Sequence, residues 1–220
     1  DATITPRLMT KRGLQIGGQG RYLFAKAQGE VAAEYLHDDR VTGTNRYALS
    51  SRHTQNLDFV PGLIGYWNLN KVSDDTYFAD LADRVGLTSQ TTLPREGGLA
   101  YASGPWQLLA RAQAFQTLQD PAAPQPVPYN RVPQALVTLQ ELDWNGLTFA
   151  GIGEYAYFRQ PTLTTGQRVF AWPTVAWERQ GAAWSVVART GAHLRQYDLN
   201  EKRPDFPSSF GYAIPISSVD

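Results

Sequence analysis

Apolar and polar side chains alternate with period two along much of the chain. Leu14, Ile16, Gly18, Gly20, Tyr22 and Phe24 share one parity, and Gln15, Gln19 and Arg21 share the other. Before them Ala2, Ile4, Pro6 and Leu8 alternate with Thr3, Thr5 and Arg7; after them Val31, Ala33 and Tyr35 oppose Glu30 and Glu34. Farther on, Trp106, Leu108, Ala110, Ala112 and Ala114 oppose Gln107, Arg111 and Gln113, while Trp184, Val186, Ala188, Ala192 and Leu194 oppose Ser185, Arg189, His193 and Arg195. Successive side chains of a strand point to opposite faces, so these segments predict ribbons with one dry and one wet side. Residues 45–54, 88–102, 147–159 and 167–179 alternate less cleanly, but β-branched and aromatic residues mark them as strands too. The total is about twelve strands of roughly nine or more residues, against a mean of about five to six in soluble proteins. No helix is predicted.

The connections sort by length. Even-numbered ones are short: Ala25 to Gln28, Pro61-Gly62 with the residues before it, Gly104-Pro105, Asn145-Gly146 and Gly181-Ala182-Ala183. Odd-numbered ones are longer: His37 to Asn45, Ser73 to Gly86, Gln119 to Asn130, Pro161 to Gly166 and Asn200 to Phe210, with Thr10 to Gly13 a tight exception. Short periplasmic turns facing longer external loops are the habit of outer-membrane barrels. Trp106, Trp144 and Trp184 each adjoin a short turn, where an interfacial aromatic girdle would lie because indole favours the headgroup level. Large aromatics also flank turns in soluble sheets, so these patterns leave a soluble β-sandwich open.

Composition narrows the classes. With 42% hydrophobic and 18% charged residues and a mean hydropathy of −0.37, the 220-residue chain is too apolar for disorder and too polar for a helical membrane protein. No run of about 18 uncharged apolar residues exists, so membrane crossing would require a barrel. Twenty basic residues balance twenty acidic ones, which leaves no field to attract nucleic acid. Cysteine is absent, excluding disulfides and thiolate metal sites. The start at Asp1 shows no basic, apolar leader, so an exported protein would be mature or truncated. No composition shift marks a boundary, and residues 1–220 read as one unit.

Local sequence adds a resemblance. Asp1-Ala-Thr-Ile-Thr-Pro-Arg-Leu-Met-Thr-Lys-Arg-Gly13 with Gly20-Arg-Tyr-Leu23 resembles a signature early in the barrel of the LptD family, which assembles lipopolysaccharide in the outer membrane of Gram-negative bacteria. Tyr66-Trp-Asn-Leu-Asn-Lys-Val-Ser-Asp-Asp-Thr-Tyr-Phe-Ala-Asp80 is similar to a strand and loop of that family. So are Gln113-Ala-Phe-Gln-Thr-Leu118, Pro128-Tyr-Asn-Arg-Val-Pro-Gln134, Phe210-Gly-Tyr-Ala-Ile-Pro215 and Ser218-Val-Asp220, in the same order. The resemblance implies an all-β fold: an antiparallel transmembrane β-barrel segment of about twelve strands, in the N-terminal half of a barrel of about 26. These would be roughly strands three to fourteen, with the periplasmic jellyroll, the remaining strands, the lateral gate and the family's disulfide cysteines lying elsewhere. The implied partners are lipopolysaccharide, outer-membrane lipid, an LptE-like plug lipoprotein and, through the jellyroll, an LptA-like periplasmic bridge.

In that mechanism lipid A leaves the jellyroll into the membrane while the sugar chain crosses the lumen. Gln15, Gln19, Arg21, Glu30, Glu34, Gln107, Arg111, Gln113, Arg189 and Arg195 hold the wet parity and would line that lumen, offering hydrogen bonds to sugar hydroxyls and phosphates. They could equally just solvate it and pair across strands. In the Ser73 to Gly86 loop, Asp74, Asp75, Tyr77, Phe78 and Asp80 are candidate contacts with the plug lipoprotein; an outward shielding loop is the alternative. An enzyme is not expected. Outer-membrane phospholipases share the strand count, but no nucleophile and base stand together near His37, His53 or His193, so no catalytic residue is assigned. Three scattered histidines make no metal site, and Gly151-Ile-Gly153 sits in a strand rather than opening a helix, so no metal or cofactor is expected. A porin-like channel shares every feature except the signatures.

Overall fold

A computed structural model describes residues 1–81, 91–200 and 207–219. The end of the Ser73 to Gly86 loop, the start of the strand predicted at 88, part of the Asn200 to Phe210 loop and Asp220 lie outside the described residues. The elements are β1 (Ala2–Met9), β2 (Gly13–Leu23), β3 (Ala27–Asp39), β4 (Thr44–Asn56), β5 (Leu63–Val72), α1 (Tyr77–Leu81), β6 (Thr92–Ser103), β7 (Trp106–Thr117), β8 (Asn130–Trp144), β9 (Leu147–Arg159), β10 (Gly166–Gly181), β11 (Trp184–Leu199) and β12 (Ser209–Val219). The strands form one twelve-stranded sheet in chain order, β1 to β12, each beside its sequence neighbour. Every register given between neighbouring strands is antiparallel. The sheet is open, with β1 and β12 at its two ends.

Two compact units can be described. The first comprises residues 1–57, 64–98 and 113–129, the second residues 58–63, 99–112 and 130–220. In the first, Gln15 stands opposite Leu36, Gln19 opposite Ala32 and Arg21 opposite Glu30, so polar positions of β2 and β3 share a face. Ile16 opposite Tyr35 and Gly20 opposite Val31 make the other face apolar. Leu14 and Ile16 remain 48% and 51% exposed, because no second layer covers them. A soluble sandwich would bury such residues; a lipid-facing wall leaves them outside.

In the second unit the parity changes twice along β8. Its register to β9 shifts between Arg131 and Gln134 and again between Leu139 and Leu142, and the second bulge turns Leu142 and Trp144 to the side of Phe149 and Leu147. The register places Glu154 on the opposite face of β9 from Leu147 and Phe149. Two-residue turns follow local chemistry. Asn145 and Gly146 have φ of 52° and 79°, the pair of positive values that a tight type I′ hairpin needs and that Asn-Gly supplies at least strain.

Three expectations shift. The His37 to Asn45 connection contracts to residues 40–43, because Asp39 closes a tight turn: its backbone oxygen accepts from Gly43 and its carboxylate from Val41. The connection of Pro61-Gly62 and the residues before it runs over residues 57–62, longer than the 40–43 turn, so loop lengths sort less cleanly than the sequence suggests. Finally, the long loop holds a helix, α1, whose five residues are too few for a 3.6-residue period to show.

The two sheet ends carry unpaired backbone groups, each costing several kcal/mol in hydrocarbon. Residues 1–220 expressed alone should therefore give no compact, heat-modifiable monomer on a detergent gel; a band that migrates faster before boiling would contradict this.

Candidate functional site

The Ser73 loop lies on the polar face of the first unit. Asp74 starts it: its carboxylate accepts from the Thr76 backbone N–H at 3.1 Å, an Asx turn that leads into α1. Tyr77, 1% exposed, is carried onto β2 and β3, where its hydroxyl donates to Glu34 at 2.7 Å and accepts from Gln15 Nε2 at 3.1 Å. Arg7 of β1 donates to the Leu81 carbonyl at 2.7 Å. Under α1, Leu36, Val72, Leu93 and Leu118 join Tyr77 and Leu81 in a buried apolar cluster. Leu36 belongs to the parity of Glu30 and Glu34, so the face read as uniformly wet carries a small dry core where the loop covers it.

One buried cation fastens the loop. Arg46 of β4 is 1% exposed; its Nε and Nη2 grip Asp74 in a two-pronged bond at 2.9 and 2.7 Å. Its Nη1 reaches Asp80 at 2.7 Å and Asp39 at 3.3 Å. Arg12 adds a second cation, 2.6 Å from Asp39 and 3.2 Å from Asp80. Three carboxylates from a strand end and a loop thus converge on two guanidiniums, the arrangement in which a buried charge keeps its hydrogen bonds. Burial alone would raise the Asp74 carboxyl, but bonds from Arg46, Ser73 and Thr76 outweigh it and hold the group below the usual carboxylate range. Burial, reinforced by Glu34, pushes the Tyr77 hydroxyl well above its ordinary value, so it stays a donor.

The remaining sequence candidates divide by unit. In the first, Gln19 donates to Glu30 at 2.6 Å, Arg21 bonds Asp1 in the open, and Gln113 donates to Glu96 at 2.8 Å. In the second, Arg111 donates to Gln134 at 2.7 Å, Gln134 to Glu154 at 2.6 Å, and Arg168 to Glu154, a polar row across β7 to β10. Gln107 and Arg189 are exposed, and Arg195 packs among aromatic rings. Trp106, Trp144 and Trp184 stand exposed beside their turns. Of the five loop candidates, Asp74, Tyr77 and Asp80 are engaged by the chain's own wall, while Asp75 is exposed and Phe78 half-buried.

Two groupings escaped sequence reading. Arg12 lies 27 residues from Asp39 and Arg46 lies 28 from Asp74, and only strand register with the loop's return brings the cluster together. On the apolar face, Tyr22 hydrogen-bonds His53 Nδ1 at 2.5 Å, and His53 stacks on Trp67 with ring centroids 4.0 Å apart. Gly29 lies under Tyr22, since a Cβ there would strike the phenol ring. Period-two alternation of His53 with Leu49 and Ser51 is the one signal that could have put this histidine on the apolar side. Among the described residues no cluster of His, Cys, Asp and Glu could hold a metal.

A meander of long antiparallel strands with one exposed apolar face, one hydrogen-bonded polar face and tryptophans at the turns defines a wall of a transmembrane β-barrel. Comparison with known proteins specifies it: residues 44–220 match the family described as LptD, LPS transport system D. The chain belongs to that family, whose members are outer-membrane proteins. Over its whole length it is 43% identical to the LPS-assembly protein LptD of Azoarcus sp. (strain BH72), 39% to that of Burkholderia ambifaria and 37% to that of Cupriavidus necator. It spans 27% to 28% of the length of these relatives.

Two tests address the latch. Arg46→Gln in the full-length parent should cost up to about 3 kcal/mol locally, because it removes charge-assisted bonds to Asp74, Asp80 and the buried Asp39 while Arg12 stays on the last two, and should raise protease cleavage within residues 73–81; unchanged cleavage would refute this fastening of the loop. Asp74 has a folded pKa below its unfolded value, so its stabilisation is complete above the unfolded value and disappears as pH falls through the folded one. Hydrogen-exchange protection across α1, taken relative to the intrinsic exchange rate at each pH, should then stay constant from pH 8 to about 5 and fall only below about 4. Loss of protection near neutrality would point to another group.

Proposed function

We propose that this chain is part of the barrel wall of a translocon that delivers lipopolysaccharide to the outer leaflet. Residues 1–220 would form a partial barrel domain, with the jellyroll and further strands supplied by the rest of the parent. The observation that carries this is the division of faces: Leu14 and Ile16 open to the apolar side, while Gln15, Gln19, Glu30 and Glu34 hydrogen-bond on the other. The apolar side meets membrane lipid. The polar side lines a lumen through which sugar can pass, with donors and acceptors of both signs that bind without trapping.

The three tryptophans would set the bilayer boundary at the turn end. A plug lipoprotein of the LptE kind would approach the loop through what the latch leaves accessible, Asp75 and the half-buried Phe78. Contact with a periplasmic bridge of the LptA kind would run through the jellyroll. Transport of this kind needs no bond made or broken by the wall, and the reading assigns it no catalytic residue.

Depleting the full-length parent in its host should reduce lipopolysaccharide exposed on intact cells, measured by surface labelling, while total lipopolysaccharide persists inside. Undiminished surface labelling after depletion would overturn the proposal.

A further inference from the structure

The polar face of β10 to β12 departs from the polar pairing of β7 to β9. Phe170, Arg195 and Tyr212 stand in one register row, since Phe170 pairs with Arg195 and Arg195 with Tyr212. The Arg195 guanidinium lies 5.3 Å from the Phe170 centroid and 5.9 Å from that of Tyr212. One row over, His193 lies 4.9 Å from Phe170 and 5.3 Å from Trp172, edge to face with the indole. On the other side Tyr197 stacks on Phe210 at 5.1 Å, with the rings 14° from parallel. Trp172 and Tyr212 remain 41% and 42% exposed.

The charge of Arg195 is answered differently from that of Arg46. Arg46 meets three carboxylates; the groups around Arg195 are phenols and rings, and its Nε is shielded without any acceptor. A guanidinium held by rings keeps its fork for a planar or tetrahedral anion, and ring faces exposed beside it suit the C–H faces of a pyranose. Neighbouring strands are about 4.8 Å apart, roughly one sugar ring per strand. Bilayer lipid would meet the opposite, apolar face, so it is not the occupant these groups select.

We propose that Trp172, Phe170, Arg195 and Tyr212 form a binding track for a phosphorylated saccharide on the polar face of β10 to β12. The track rests on the transport reading above and adds to it a place where the sugar portion is held by stacking and by one cation. Stacking on successive rings tolerates variation in sugar identity, and the Arg195 guanidinium selects for phosphate.

The experiment uses the full-length parent in cells, with a photo-crosslinking amino acid in place of Trp172, Tyr212, Ala213 or Gln19, and lipopolysaccharide detected in the adducts. Ala213 lies beside Tyr212 on the apolar face, and Gln19 on the polar face outside the track. Strong capture is expected at Trp172 and Tyr212, with none at Ala213. It should fall at least about fivefold in a host whose lipopolysaccharide lacks its phosphorylated core sugars, and in an Arg195→Gln background that retains heat-modifiable migration. Capture at Gln19 without capture at Trp172 or Tyr212 would overturn the track and leave the transport reading standing. Capture at no polar-face position would overturn the transport reading itself. A protein adduct at Trp172 and Tyr212 would make the face a partner's seat, and equal capture at Ala213 would mean bulk membrane contact; either refutes the track.

Discussion

Hydrocarbon offers no hydrogen bond, so each backbone amide and carbonyl of a membrane-crossing strand must find its partner on a neighbouring strand. Pairing β1 to β12 in chain order is the solution with the shortest connections, and it fixes the rest. Once the ladders are set, side chains must alternate between two environments, and there is no freedom to send a third of them into a conventional core. That is why the described chain has so few fully buried side chains, and why its large apolar residues are open on the wall.

This constraint also explains what could be read from sequence. Leu14 against Gln15, and Trp184 against Ser185, report their faces directly, because a lipid side and a watery side impose opposite chemistry on adjacent positions. The two-residue turns were equally legible, since Asn145-Gly146 needs positive φ at both residues. Leu36 was not: its parity is polar, and only the loop descending from β5 makes its site dry. Arg46 was hidden for a related reason, since one arginine on a strand looks the same whether it faces water or three carboxylates contributed from Asp39, Asp74 and Asp80. Long-range convergence leaves no local period, and a helix of five residues leaves hardly any.

The polar wall treats its cations in two ways. Arg46 and Arg12 are satisfied internally, and their work is to hold a loop against the strands that carry Gln15 and Glu34. Arg195 is surrounded by rings and has an unsatisfied nitrogen. Within one family of polar-face residues the surroundings of a charge therefore differ, carboxylates at Arg46 and aromatic rings at Arg195, and the composition of the face alone would not separate them.

The second of the two bulges in β8 bears on how such walls can vary. By absorbing one residue between Leu139 and Leu142 it works as a phase shifter, as the first does between Arg131 and Gln134: the strand enters the bulge on one beat of the in-and-out rhythm and leaves it on the other. Insertions and deletions of a single residue, ordinarily ruinous because they invert everything downstream, can be taken up at such a point. The hairpin that ends in Trp144 can then drift in length while its indole stays outside.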